Sequence, residues 1–228
     1  MSNAEELVKS LNIKAKDISY YEMALTHPSA NAEETSGLHH DYERLEYIGD
    51  AVLGFVSADL IYKIHPEMDQ GLMSKLRSYL VKSKSLANYA RKANFHKFIK
   101  TGHSISQDRI YDSDKILEDV FEAIIGAIYL DLGINKAYSY IKSFIYNDIK
   151  HADVDILTDY KTKLQEAMQA EHRNSVEYKV VEEKGPAHDK TFTVAVSFNG
   201  LILAYGTGKS KKQAEEQAAK NALAKGIM

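Results

Sequence analysis

Apolar positions recur every three to four residues through Tyr42–Tyr62, Gly71–Ala93, Ser113–Leu132 and Asn135–Lys150. That spacing predicts helices. Breakers separate them at Asn31–Gly37, His65–Gln70, Gly102–Asp112 and Gly133. No period-two run precedes about residue 175, and there the pattern changes. Asp159–Ala170 predicts a short amphipathic helix. Val176–Glu182, Thr191–Phe198 and Leu201–Thr207 are rich in Val, Ile, Phe, Thr and Tyr and predict three strands. Asn199-Gly200, between the last two, is a hairpin turn signal. Ser210–Ala224 predicts an alanine-rich helix with Ser210 as its N-cap. The expected architecture is an all-α domain over residues 1–152, a linker at 153–158, and a small α+β domain of order α-β-β-β-α over 159–228.

The length of 228 residues is enough for two modest domains. The most apolar uncharged run, Ala123–Leu130, is far shorter than the roughly 20 residues of a membrane span. The N-terminus carries Glu5 and Glu6 where a signal peptide needs positive charge. With no cysteine anywhere, disulfides and thiolate metal sites are excluded. A reducing compartment, the cytoplasm, is the expectation, with no membrane partner. The net charge of −3 does not mark a nucleic-acid binder. Residues 1–154 hold 18 Lys and Arg against 22 Asp and Glu, and residues 155–228 hold 11 against 10. Placement of charge therefore matters more than its sum.

The placement is unusual in two helices. Glu43, Glu46 and Asp50 are spaced i, i+3, i+7, within a band roughly 60° wide. Leu45, Ile48, Val52, Leu53 and Phe55 fill most of the remaining surface. Asp119 and Glu122 stand at i, i+3 on a second helix that is otherwise apolar nearly all round. Acids on helices usually form a solvated face. Here the apolar surroundings point to burial, and clustered buried carboxylates resist ionisation unless a cation joins them. If the helices pack, Glu46, Asp50, Asp119 and Glu122 can converge, with Gly49, Gly54 and Gly126 permitting close approach. An all-oxygen donor set suits Mg²⁺, or Mn²⁺ in its place.

The segment Glu43-Arg-Leu-Glu46-Tyr-Ile-Gly-Asp50-Ala-Val-Leu resembles the signature motif of the ribonuclease III family. Asp119-Val-Phe-Glu122-Ala-Ile-Ile-Gly-Ala-Ile-Tyr resembles its second acidic motif, and Ala24-Leu-Thr-His27 and Gly71-Leu-Met-Ser-Lys-Leu-Arg77 fit in order. The resemblance implies a helical, homodimeric nuclease that hydrolyses double-stranded RNA in ribosomal RNA processing and RNA turnover. It implies short 3′ overhangs and 5′-phosphate ends. Glu46, Asp50, Asp119 and Glu122 would hold Mg²⁺, with Asp50 and Glu122 catalytic, Glu43 at the edge of the acidic valley, and Tyr47 at an aromatic dimer contact. One departure is Gln70, at the valley edge where the family usually has glutamate. A catalytically silent RNA-binding scaffold is the alternative, and the complete set of four core acids favours the enzyme.

In the C-terminal part, Thr162, Gln165, Glu166 and Gln169 lie at i, i+3, i+4, i+7 and form one polar face. Gly185-Pro186-Ala-His188 forms a turn between two strands. Lys209, Lys211 and Lys212 crowd the start of a helix, where the macrodipole disfavours cations, so they ask for an external anion. Gly208-Lys209-Ser210 is not a nucleotide-binding P-loop, because that motif needs a glycine where Leu203 stands; no nucleotide cofactor is expected. Together these segments resemble the double-stranded-RNA-binding domain. The resemblance implies that Thr162, Gln165, Glu166 and Gln169 meet one minor groove and His188 the next. Lys209, Lys211 and Lys212 would span the phosphates between them.

Overall fold

The computed structural model describes residues 1–31, 40–102, 105–152, 159–171, 175–186 and 189–226. The chain forms two compact units, Met1–Val154 and Asp155–Met228. The expected linker at 153–158 lies outside the described residues.

The described part of the first unit is helical: α1 (Asn3–Ser10), α2 (Ser19–Ala24), α3 (Glu43–Ile64), α4 (Gln70–Leu80), α5 (Ser83–Lys92), α6 (Gln107–Asp112), α7 (Asp114–Leu132) and α8 (Ile134–Lys150). Helix α7 is the axis. Its Leu117, Val120, Phe121, Ile124, Ile125 and Ile128 are fully buried, and it lies against α2, α3, α5 and α8. Ser113 starts it by accepting the Ile116 amide at 3.3 Å. Gly133, at φ +82, ends it and turns the chain into α8. At the far end, buried Asp131 accepts the Lys16 amide at 3.1 Å, the Asp17 amide at 2.9 Å and the Tyr21 hydroxyl at 3.0 Å. One carboxylate thus pins the N-terminal segment to the central helix.

The apolar run Gly71–Ala93 is not one helix. It divides at Val81–Lys82, where Lys82 takes an extended conformation before α5. The stretch Gly102–Asp112, expected to be a break, contains α6, capped by Ser106.

The second unit runs α9 (Tyr160–Glu171), β1 (Glu177–Lys184), β2 (Thr191–Phe198), β3 (Leu201–Gly208) and α10 (Lys211–Ala224). The strands form an antiparallel sheet of order β1-β2-β3, with Asn199 at φ +49 and Gly200 at φ +80 making the predicted hairpin turn. Helix α10 packs on β2, β3 and α9. The core joins Leu164 and Met168 of α9, Val196, Phe198 and Ala204 of the sheet, and Ala218, Ala219 and Ala222 of α10. The alanines let α10 lie close to the strands. The Glu216 carboxylate accepts the Tyr160 amide at 2.9 Å and the Lys161 amide at 3.3 Å, closing the N-terminus of α9. On the outer edge of β3, the carbonyls of Tyr205 and Leu203 accept from Asn221 Nδ2 at 2.7 Å and Lys225 Nζ at 2.9 Å.

Candidate metal centre and nucleic-acid interface

Two glycines decide how near α3 comes to α7. A Cβ on Gly49 would stand 1.8 Å from the Glu122 carbonyl oxygen, and one on Gly126 would stand 2.2 Å from that of Leu45. Backbone meets backbone at both places, so any side chain there forces the helices apart. Gly54 plays no such part, since a Cβ there would meet nothing within 4 Å.

This crossing brings carboxylate oxygens of Glu46, Asp119 and Glu122 within 4.8 Å of one another. Asp119 and Glu122 are buried, at 5% and 7% exposure, and Glu46 is half-buried. Asp50 is exposed and outside this trio, yet its charge acts on Glu122. Burial first, then the charges of Asp50, Glu118, Glu46 and Asp119, push the Glu122 carboxyl up to about 8. Burial and the Asp119 charge also raise Glu46, against the pull of Lys115. Glu43 is exposed and outside the trio; its amide donates to Asp41 Oδ1 at 3.2 Å. Gln70 is exposed at the first position of α4, beside the N-cap Asp69.

Sequence spacing does not reveal three other participants. Lys115 lies one turn before Asp119, and its Nζ reaches Asp119 Oδ1 at 2.5 Å and Glu46 Oε1 at 3.4 Å. The ammonium thus stands where the carboxylates call for positive charge. Tyr42, buried, donates its hydroxyl to Asp119 Oδ2 at 3.4 Å. His27 meets the Tyr42 ring edge-on at 5.6 Å, which backs the tyrosine from the Ala24–His27 motif. The only sequence signal for Lys115 is its i, i+4 relation to Asp119. A trio of clustered, partly desolvated carboxylates with a lysine drawn into it is a donor set that fits a hard divalent cation.

In the second unit, the exposed face of α9 carries Thr162 and Glu166. Gln165 is half-buried instead, and its Oε1 accepts the Val176 amide at 3.2 Å. Its carbonyl oxygen is therefore engaged with the unit's own backbone, while its buried Nε2 has no partner among the described residues. The Gln169 side chain and His188 lie outside the described residues. Lys209, Lys211 and Lys212 are all exposed at the start of α10, as the sequence predicts. Ser210 caps that helix by accepting the Gln213 amide at 3.2 Å.

A family model described as Ribonuclease-III-like matches residues 17–149, and one described as Double-stranded RNA binding motif matches residues 160–225. Ribonuclease 3 of Streptococcus pyogenes serotype M2 is 41% identical over 226 residues, spanning 98% of each chain. The crystal structure of the nuclease domain of ribonuclease III from Campylobacter jejuni superimposes with a TM-score of 0.58 at 35% identity, covering 67% of this chain and all of that one. A second structure of that Campylobacter domain, described for flexibility in a region involved in dimer formation, gives a TM-score of 0.57 at 35% identity over 63% of this chain and 96% of that one.

Proposed function

Because the chain belongs to the ribonuclease III family, we propose that its acidic cluster is where double-stranded RNA is cut. The protein is an endoribonuclease acting on double-stranded RNA. In this reading Glu46, Asp50, Asp119 and Glu122 hold Mg²⁺, for which Mn²⁺ can substitute. The observation that carries it is the convergence of three carboxylates from two helices, one of them held up to about 8. A divalent cation bound there supplies the charge that activates water and stabilises the attacked phosphoryl group. Glu122 would hold the cation as a carboxylate, since metal ligands bind deprotonated. Tyr42 steadies Asp119 through its hydroxyl. Lys115 occupies two of these carboxylates and would have to yield them to the cation. Products carry 5′-phosphates and short 3′ overhangs.

The second unit grips the duplex. Thr162 and Glu166 face one minor groove, with Gln169 expected beside them and His188 at the next minor groove, while Lys209, Lys211 and Lys212 meet the phosphates of the intervening major groove. A second copy of the chain covers an exposed aromatic stripe of α3. Tyr47, Phe55 and Tyr62, at 81%, 58% and 69% exposure, fall on one face of that helix. Large apolar side chains left this open mark an interface.

The test is digestion of a long RNA duplex by the full chain, with Mg²⁺ and with EDTA. Metal-dependent shortening to discrete duplexes is expected. Glu122→Gln is expected to lower cleavage by at least about 100-fold, since disturbing even a partner of a metal ligand costs 10- to 100-fold, while duplex binding is retained. A Glu122→Gln protein that cut at a comparable rate would overturn the site.

A further inference from the structure

Two of the three lysines at the start of α10 are already answered by carboxylates. The row Glu183–Phe192–Gly208 runs straight across the three strands, so the end of the β1–β2 hairpin lies beside the chain entering α10. From that end, Asp189 Oδ1 reaches Lys209 Nζ at 2.6 Å. Glu183 bridges two lysines, Lys190 through Oε2 at 3.1 Å and Lys211 through Oε1 at 3.6 Å. Lys211 also hangs over the Phe192 ring, 5.8 Å from its centre. Lys212 makes no ion pair among the described residues.

Of four lysines gathered at this corner, three face a carboxylate. The pairs are exposed, with the Lys209 and Asp189 side chains at 64% and 62%. Such exposed pairs add little to folding, so stability does not account for placing them here. What they do alter is the charge an incoming phosphate meets. A phosphate that takes Lys209 or Lys211 must share the ammonium with a carboxylate or displace it, and either way that carboxylate remains close to the phosphate and repels it.

We propose that Asp189 and Glu183 are built-in competitors for the RNA backbone, which hold down the affinity of the second unit for duplex RNA. The inference rests on the reading of Lys209 and Lys211 as phosphate contacts. It concerns a different question: how tightly the module is allowed to hold. Lowering affinity serves an enzyme that must release cut duplexes, because product held too firmly limits turnover.

The test measures duplex binding by the full chain in EDTA, so that no cleavage intervenes, over a range of salt concentrations. Asp189→Asn and Glu183→Gln are expected to bind several-fold more tightly, about 5-fold for each kcal/mol of repulsion removed. The gain should vanish when Lys209→Ala and Lys211→Ala are added to the same chains, as a coupled cycle requires. Unchanged or weakened binding in the two acid variants overturns the inference, and weakening would mean that the acids position the lysines. If instead Lys209→Ala with Lys211→Ala alone leaves affinity and its salt dependence untouched, the phosphate-contact reading itself is what fails.

Discussion

At the residue scale, Glu122 is held by its burial and by neighbouring charge at about 8 instead of its ordinary 4.5. The folded state then binds this proton more tightly than the unfolded chain does. Its contribution to stability is present at acid pH and is lost as pH rises from about 4.5 toward about 8. In EDTA the melting temperature is expected to fall across that window, and Glu122→Gln to flatten the fall. An equally steep fall in the variant would assign it to another group. Protons and cation compete for the same oxygens, so the Mg²⁺ concentration needed for half-maximal cleavage should drop as pH rises to about 8. Lys115 competes in the same way. Lys115→Ala should bind Mn²⁺ more tightly by calorimetric titration, and equal affinity would show that the lysine does not contest the site. The acids were legible in the sequence because i, i+3 pairs on apolar helices are unusual. Lys115 was not, because a lysine four residues from an aspartate is an ordinary surface pair; only the helix crossing puts Glu46 beside it.

At the element scale, the site is as precise as the α3–α7 crossing. Gly126→Ala puts a methyl 2.2 Å from the Leu45 carbonyl oxygen. The helices must separate, which is expected to cost roughly 1–3 kcal/mol and to reduce cleavage with it. A chemical denaturation midpoint unchanged from the parent would refute the close approach. Helices α7 and α8 were readable because their periods are long and unbroken, and the three strands because they are rich in Val, Ile, Phe, Thr and Tyr with the Asn199-Gly200 turn between the last two; alternation alone would not have marked them, since the register shifts between Val180 and Glu182 and between Val196 and Ser197. The division between α4 and α5 was not, because Leu80 and Leu86 on either side are both buried and the apolar spacing continues across the break. Helix α6, at six residues, is too short to show a period. Helix α1 has a different signal. Ser2 accepts the Glu5 amide at 3.3 Å while Glu5 accepts the Ser2 amide at 2.8 Å. This reciprocal cap is written in the Ser-x-x-Glu spacing and not in hydrophobicity. In the same way, the inward turn of Gln165 depends on Val176, eleven residues away and beyond the reach of helical periodicity.

For the whole molecule, two compact units each have their own core, and the proposed function gives cutting to the first and holding to the second. A chain ended after Val154 should keep metal-dependent cleavage at low salt but need more RNA, seen as a higher KM with a smaller change in kcat. Loss of all cleavage by a folded truncated chain would mean that the second unit completes the catalytic site. The outer margins of the small sheet bear on a different hazard. An open three-stranded sheet is a template on which other chains can add strand by strand. Here β1 presents Glu177, Lys179, Glu182 and Lys184 along its margin, and on β3 two outward carbonyls are already taken by Asn221 and Lys225. Both margins are therefore guarded against strand-by-strand addition of other chains.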